Sequence, residues 1–179
     1  MHAVIRYGPL LGLALLLVAP LGWTRAATAV VRSVGSAAPD VSLPSLHAGA
    51  EPVRLADFRG KVVYLDFWSA WCAPCRRAMP RLDDLRRAFP REAFEVVGVN
   101  VDAEAADARR FLEGVPVSYP VAADSAGRVA AEFGVSALPA LIVIGADGVV
   151  RDAIVGDDVE AHGALRATLV DLIAEREVR

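Results

Sequence analysis

KVVYLDFW, residues 61–68, is an almost unbroken run in which β-branched and aromatic residues follow one another with a single acid, Asp66, among them. A run without polar alternation is the pattern of a strand buried on both faces of a sheet. Beyond it the period changes. Met79, Leu82, Leu85 and Phe89 recur three or four residues apart among arginines and aspartates, which predicts an amphipathic helix. FEVVGVNVD (94–102) predicts a parallel strand, AEAADARRFLEG (103–114) a helix ended by Gly114, and GRVAAEFG (127–134) a short helix ended by Gly134. LIVIGADGVVRDAIV (141–155) predicts a hairpin that turns at Asp147 and Gly148. A last helix opens at DDVE, where Asp157 and Glu160 have capping-box spacing, and buries Leu165, Leu169, Leu172 and Ile173. Strands alternating with helices, without internal repeat, predict one α/β unit.

The first thirty residues have a different pattern: Arg6 precedes a Leu-rich core from Leu10 to Ala19, and the small residues Ala26, Ala27 and Ala29 follow. This is the layout of a secretory signal, residues 1–27, cleaved near Ala27. Tyr7 to Trp23 holds no charge, so an uncleaved N-terminal anchor is the rival reading. Either reading places the folded part in the periplasm or otherwise outside the cytoplasm. Residues 28–38 read as a flexible leader and 39–179 as the domain. The 179 residues, 55% hydrophobic, suffice for one ordinary core, and the chain is expected to act as a monomer. A net charge of -3 gives no electrostatic reason to expect nucleic acid or an acidic membrane surface as partner. Arg76, Arg77, Arg81, Arg86 and Arg87 cluster, but Asp83 and Asp84 interrupt them, and the group reads as a solvated helix face.

The chemistry concentrates at DFWSAWCAPC, which holds both cysteines, Cys72 and Cys75. As a structural staple the pair is poor, because the entropic benefit of a disulfide grows with the loop it closes. A structural zinc site needs four ligands, and His47 and His162 lie in other segments. Cys72 is expected where the strand turns into the helix. There the helix dipole favours a thiolate and lowers the thiol pKa. Cys75, one turn on, is placed to attack a mixed disulfide formed at Cys72. Asp66, in the strand leading to the pair, is either a buried acid–base group for Cys75 or an ordinary acid paired with Lys61 or an arginine. Phe67 and Trp68 read as packing. A peroxiredoxin-type peroxidase would want Pro and Ser or Thr seven and three residues before its cysteine; Ser69 fits and Leu65 does not. A Cys-His hydrolase lacks a predictable base, and phosphate-binding glycine signatures are absent. A Cu(I) carrier is the non-enzymatic alternative. The redox reading requires no metal and no cofactor beyond the cysteine pair.

DFWSAWCAPC resembles the active-site signature of the thioredoxin superfamily, with Trp71 before the first cysteine and Pro74 before the second. VSALPALIVIGADGVV resembles its second signature, in which a cis proline, here Pro139, packs beside the cysteines. The resemblance spans roughly residues 35 to 178 and implies an α/β thioredoxin fold, a central mixed sheet flanked by helices. The chain is most similar to the exported TlpA-like and ResA-like thiol-disulfide oxidoreductases. It shares their N-terminal extension, here residues 35–61, and a segment inserted after the second core strand, here within 99–127. Many members carry Glu where this chain has Ala78, and Asn where it has Asp66. The resemblance implies disulfide-containing protein substrates, a membrane thiol-disulfide electron donor, and work in cytochrome c or copper-site maturation. Trp71, Ala73, Pro74, Leu138 and Pro139 are the expected substrate groove. Neither Ala73 nor Pro74 has a side-chain donor for the Cys72 thiolate, which predicts a reducing pair; a disulfide donor is the alternative.

Overall fold

The computed structural model describes residues 34–156 and 159–177. Residues 1–27, read above as a signal, most of the residues read as leader, and the side chains of Asp157, Glu160 and His162 lie outside that description. A short antiparallel pair, β1 (Ser42–Leu43) and β2 (Val53–Arg54), leads through a 3-10 turn to β3 (Val62–Trp68). Then follow α1 (Ala73–Arg87), β4 (Phe94–Asn100), α2 (Ala105–Gly114), β5 (Val121–Ala123) and α3 (Arg128–Glu132). The hairpin β6 (Ala140–Ile144) and β7 (Val150–Val155) and the helix α4 (Val159–Glu177) complete the chain. The main sheet has the order β5-β4-β3-β6-β7, with β3, β4 and β5 parallel and β6 antiparallel to both β3 and β7. This is the central mixed sheet that the resemblance implies. Among the described residues no helix is long and apolar enough to cross a membrane.

Alternation along β3 divides the core in two. Val63, Leu65 and Phe67 join Val97, Ile142 and Phe133 on one face. Val62, Tyr64 and Trp68 join Met79 and Leu82 of α1, Leu165 and Leu169 of α4, and both cysteines on the other. Asp66 is in phase with Tyr64 and Trp68, so its side chain faces the layer that holds the cysteines.

Several expectations are adjusted. Residues 35–38, read as leader, pair with the β6–β7 hairpin: Gly35 N–H donates to Val150 O, Ala38 N–H to Gly148 O, and Val150 N–H to Ser36 O. The described fold thus includes residues 35–38, because the turn leaves backbone groups that need partners. β5 is a strand the pattern missed; its three residues pair with the edge of β4 on one side and with residues 44–46 on the other. Gly134 and Gly148 adopt the left-handed backbone their positions demand, with φ of 71° and 79°; α2 ends at Gly114 as expected, with Val115 as its C-cap, but Gly114 does not take that left-handed backbone. Leu172 is half-buried rather than buried.

Arg86 corrects the reading of a solvated arginine face. It is buried and forms an ion pair with the equally buried Glu95, tying α1 to β4. Asp83 is buried too. It accepts hydrogen bonds from the Ser118 amide at 2.8 Å and the Ser118 hydroxyl at 2.6 Å, and pairs with Arg87. Burial pushes the Asp83 carboxyl up, but these partners outweigh it and hold it below the usual carboxylate range. Breaking the inner pair leaves a buried charge without its counter-ion. Glu95→Ala is expected to lose about 3–5 kcal/mol in urea unfolding, while the paired replacement Arg86→Met with Glu95→Leu loses much less.

Candidate active site

The loop from β3 to α1 is fastened to the end of β4. Ala70 N–H donates to Asp102 Oδ2 at 2.8 Å, and the same oxygen accepts from Asn100 Nδ2 at 2.8 Å. Asp102 N–H donates to Asn100 Oδ1, and Val101 N–H to the Trp68 carbonyl. Nothing in the local pattern marks Asp102. Its role arises because parallel pairing brings the ends of β3 and β4 together.

Cys72 and Cys75 form a disulfide with an S–S distance of 1.99 Å and Cα atoms 5.3 Å apart. Cys72 is the N-cap of α1, and its sulfur takes the capping role by accepting the Cys75 amide at 3.2 Å. Ala73 and Pro74 indeed supply no side-chain donor, but the backbone at Cys75 supplies one. Pro74 sits in the first turn, where its missing N–H has no intrahelical partner to lose. Cys72 retains 4% of its accessible surface and Cys75 1%, so a large reactant meets Cys72 first. Trp71 beside it is 74% exposed.

Asp66 lies opposite Gly98 of β4 and Leu141 of β6 in the middle of the sheet. It is buried, and neither carboxyl oxygen has a partner among the described residues. The ion pair with Lys61 or an arginine is therefore not formed. Burial in apolar surroundings pushes the Asp66 pKa up to about 7. The hydroxyl of Tyr119 and the indole N–H of Trp68 are also buried without a partner. Burial, and after it the charge of Asp66, pushes the phenols of Tyr64 and Tyr119 above their ordinary range. Gly98 is the space that makes this crowding possible: a Cβ there would stand 3.2 Å from Trp68 Nε1 and 3.4 Å from Tyr119 Cε2.

The Leu138–Pro139 peptide is cis. It directly precedes Ala140, which lies opposite Phe67, so Leu138 and Pro139 share the end of the sheet from which the Cys72 loop departs. Leu138 is half-buried and packs against the core layer containing both cysteines. On the other flank a cavity of about 620 Å³ runs between the loop and α2, lined by Trp71, Arg76, Asp102, Phe111 and Val115. The Arg76 guanidinium lies 5.3 Å from the Phe111 ring centre. The structure thus gathers Trp71, Cys72, Ala73, Pro74 and Cys75 on one loop and helix start, places Leu138 and Pro139 at the same sheet end, and sets Asp66 in the layer beneath. His47 is elsewhere, its Nε2 donating to the Tyr119 carbonyl. Among the described residues no three His, Cys, Asp or Glu side chains group as metal ligands.

Comparison with known proteins agrees with this geometry. The chain is 37% identical over 158 residues to the thiol-disulfide oxidoreductase ResA of Geobacillus thermodenitrificans, covering 83% of this chain and 88% of that protein. It is 31% identical to ResA of Bacillus subtilis, covering 84% and 85%. A Chlorobium tepidum crystal structure, described as that of a thiol:disulfide interchange protein DsbE, superposes with a TM-score of 0.74 at 35% identity, covering 79% of this chain and 98% of that one. The AhpC/TSA family model matches residues 34–153. With the disulfide at the helix start, the mixed sheet behind it and relatives of this similarity, the chain belongs to the AhpC/TSA family and is a thiol-disulfide oxidoreductase of thioredoxin-like fold.

Proposed function

We propose that the protein works outside the cytoplasm as a reductase of protein disulfides, with Cys72 as nucleophile, Cys75 as resolving thiol and Asp66 as the proton acceptor and donor between turnovers. The observation that carries the roles is the difference in setting. Cys72 is the N-cap of α1 beside exposed Trp71 and keeps 4% of its surface, whereas Cys75 lies one turn on and keeps 1%, in the layer that Asp66 faces.

The steps balance without a further cofactor. In the reduced protein the Cys72 thiolate, favoured by the helix dipole and the Cys75 amide, attacks one sulfur of the client disulfide. A Cys72–client bond forms, and the other client sulfur leaves as a thiolate that takes a proton from solvent. Asp66, ionised, then takes the proton of Cys75. The Cys75 thiolate attacks Cys72, the second client sulfur leaves and is protonated, and the Cys72–Cys75 disulfide remains. Two electrons have passed to the client; its two thiols take one proton from solvent and the one that Asp66 took from Cys75. A membrane-bound dithiol donor returns the electrons by the reverse exchange. Clients in cytochrome c or copper-site maturation suit the resemblance to ResA-type proteins. The reducing direction rests on the absence of side-chain donors at Ala73 and Pro74, which leaves the Cys75 amide as the one capping donor to Cys72 among the described residues.

Cys75→Ser is expected to stall with one client molecule bound to Cys72 through a disulfide, seen as a dithiothreitol-sensitive adduct by mass; release of reduced client at the wild-type rate would remove Cys75 from the resolving role. The potential of the pair at equilibrium with a dithiol buffer is expected near about -270 mV, while a value near about -120 mV makes the protein a disulfide donor instead.

Asp66 gives a linked pair of outcomes. Its carboxyl titrates at about 7 in the folded protein, against an ordinary value of 3.8. The folded state therefore binds the proton more tightly, and its stability falls as pH rises between those values. Asp66→Asn is expected to be more stable than the wild type at pH 8 by about 4 kcal/mol, the gain shrinking towards zero near pH 4. Over the same range the variant's resolving step should lose its inflection near neutral pH and slow by about a hundredfold at pH 8. A variant that is more stable and equally fast would leave Asp66 with a purely structural cost and no catalytic use.

A further inference from the structure

The charges at the start of α1 run against the field of the helix. A helix start favours acids, yet this one has none in its first turn, and Arg76, Arg77 and Arg81 all precede its first acid, Asp83. Arg76 has the Phe111 ring as a partner. Arg81, and Arg166 on α4, enter no ion pair among the described residues, although the net charge of the chain is -3. Both arginines line a cleft of about 380 Å³ between α1 and α4. Its apolar lining includes half-buried Leu85 over the buried Leu82 and Leu141, and one edge is Pro74, which lies between the cysteines at the α1 start. Ala78 also lines it and contributes no acid, and Gly163 leaves open space where a side chain would project.

We infer that this cleft docks the client polypeptide, and that the segment it takes is acidic. Carboxylates flanking the client's disulfide meet Arg81 and Arg166, while an apolar side chain of the same segment packs on Leu85. The charge complementarity carries the choice of occupant: guanidinium groups at the edge of an apolar cleft, without an ion pair among the described residues, select carboxylates and repel a lysine-rich segment. Because Arg81 and Arg166 are exposed, the preference acts mainly on encounter and weakens with salt. The inference rests on the proposed reduction of protein disulfides and names the kind of segment reduced.

The test uses the pre-reduced protein in single turnover with two peptides, each closed by one disulfide and sharing the same apolar residues, one flanked by glutamates and the other by lysines. Hydroxyethyl disulfide serves as an uncharged third substrate for the wild type. The glutamate peptide is expected to react about tenfold faster than the lysine peptide at low ionic strength, the ratio approaching one as salt is raised to about 1 M. In Arg81→Glu with Arg166→Glu the ratio should invert, and in Ala78→Glu it should shrink. Each ratio is taken within one protein sample, so a loss of folded material cancels. Equal rates for the two wild-type peptides, with hydroxyethyl disulfide reduced, overturn the docking inference alone. An unchanged ratio in the doubly reversed variant does the same. Failure of the wild type to reduce any of the three overturns the reductase reading and this inference with it.

Discussion

The pairing of β3 between β4 and β6 is the constraint on which everything else hangs. A strand paired on both edges and covered on both faces has no freedom of register, since a slip of one residue would turn Asp66 into one layer and Phe67 into the other. Its end is therefore a fixed point. The loop that leaves it is held to β4 through Asp102, and α1 begins three residues after Ala70, which Asp102 holds. Cys72 stands where it does because the strongest hydrogen-bonded element of the fold stops at Trp68.

The layer beneath the disulfide departs from what stability alone would select. Asp66, Trp68 and Tyr119 each bury a polar group without a partner among the described residues, in the one face of the sheet that also contains the cysteines. An apolar residue at position 66 would cost nothing of this kind. A buried carboxyl close to its half-titrated point at neutral pH is a poor structural element and a good proton exchanger. Burial supplies both properties through one cause, the loss of water around the charged form.

A division of labour also runs along α1. Asp83 and Arg86 turn inward and join the helix to Ser118 and Glu95, while Arg76, Arg77 and Arg81 remain exposed near its start. One helix thus anchors to the core at its far end and presents cations beside its reactive end. Residues of the same type, a few positions apart, perform opposite tasks according to which side of the helix they occupy.

Local pattern is enough for much of this protein. The almost unbroken apolar run predicts β3, the change of period predicts α1, and the contiguous Trp-Cys-Ala-Pro-Cys stretch marks the reactive pair, because these depend on residues adjacent in the chain. Asp66 is conspicuous for the same reason, as an acid inside an apolar strand. What the pattern leaves open depends on residues far apart in sequence. Whether Asp66 has a partner, whether Arg86 is exposed or paired with Glu95, and whether Asp102 holds the loop are settled by which strands and helices meet. β5 and the pairing of residues 35–38 exist because a strand edge and a hairpin turn carry backbone groups in need of partners. The sequence by itself determined the elements and the chemistry at the helix start; tertiary structure decided the burial, and burial sets the energy of every charge at the site.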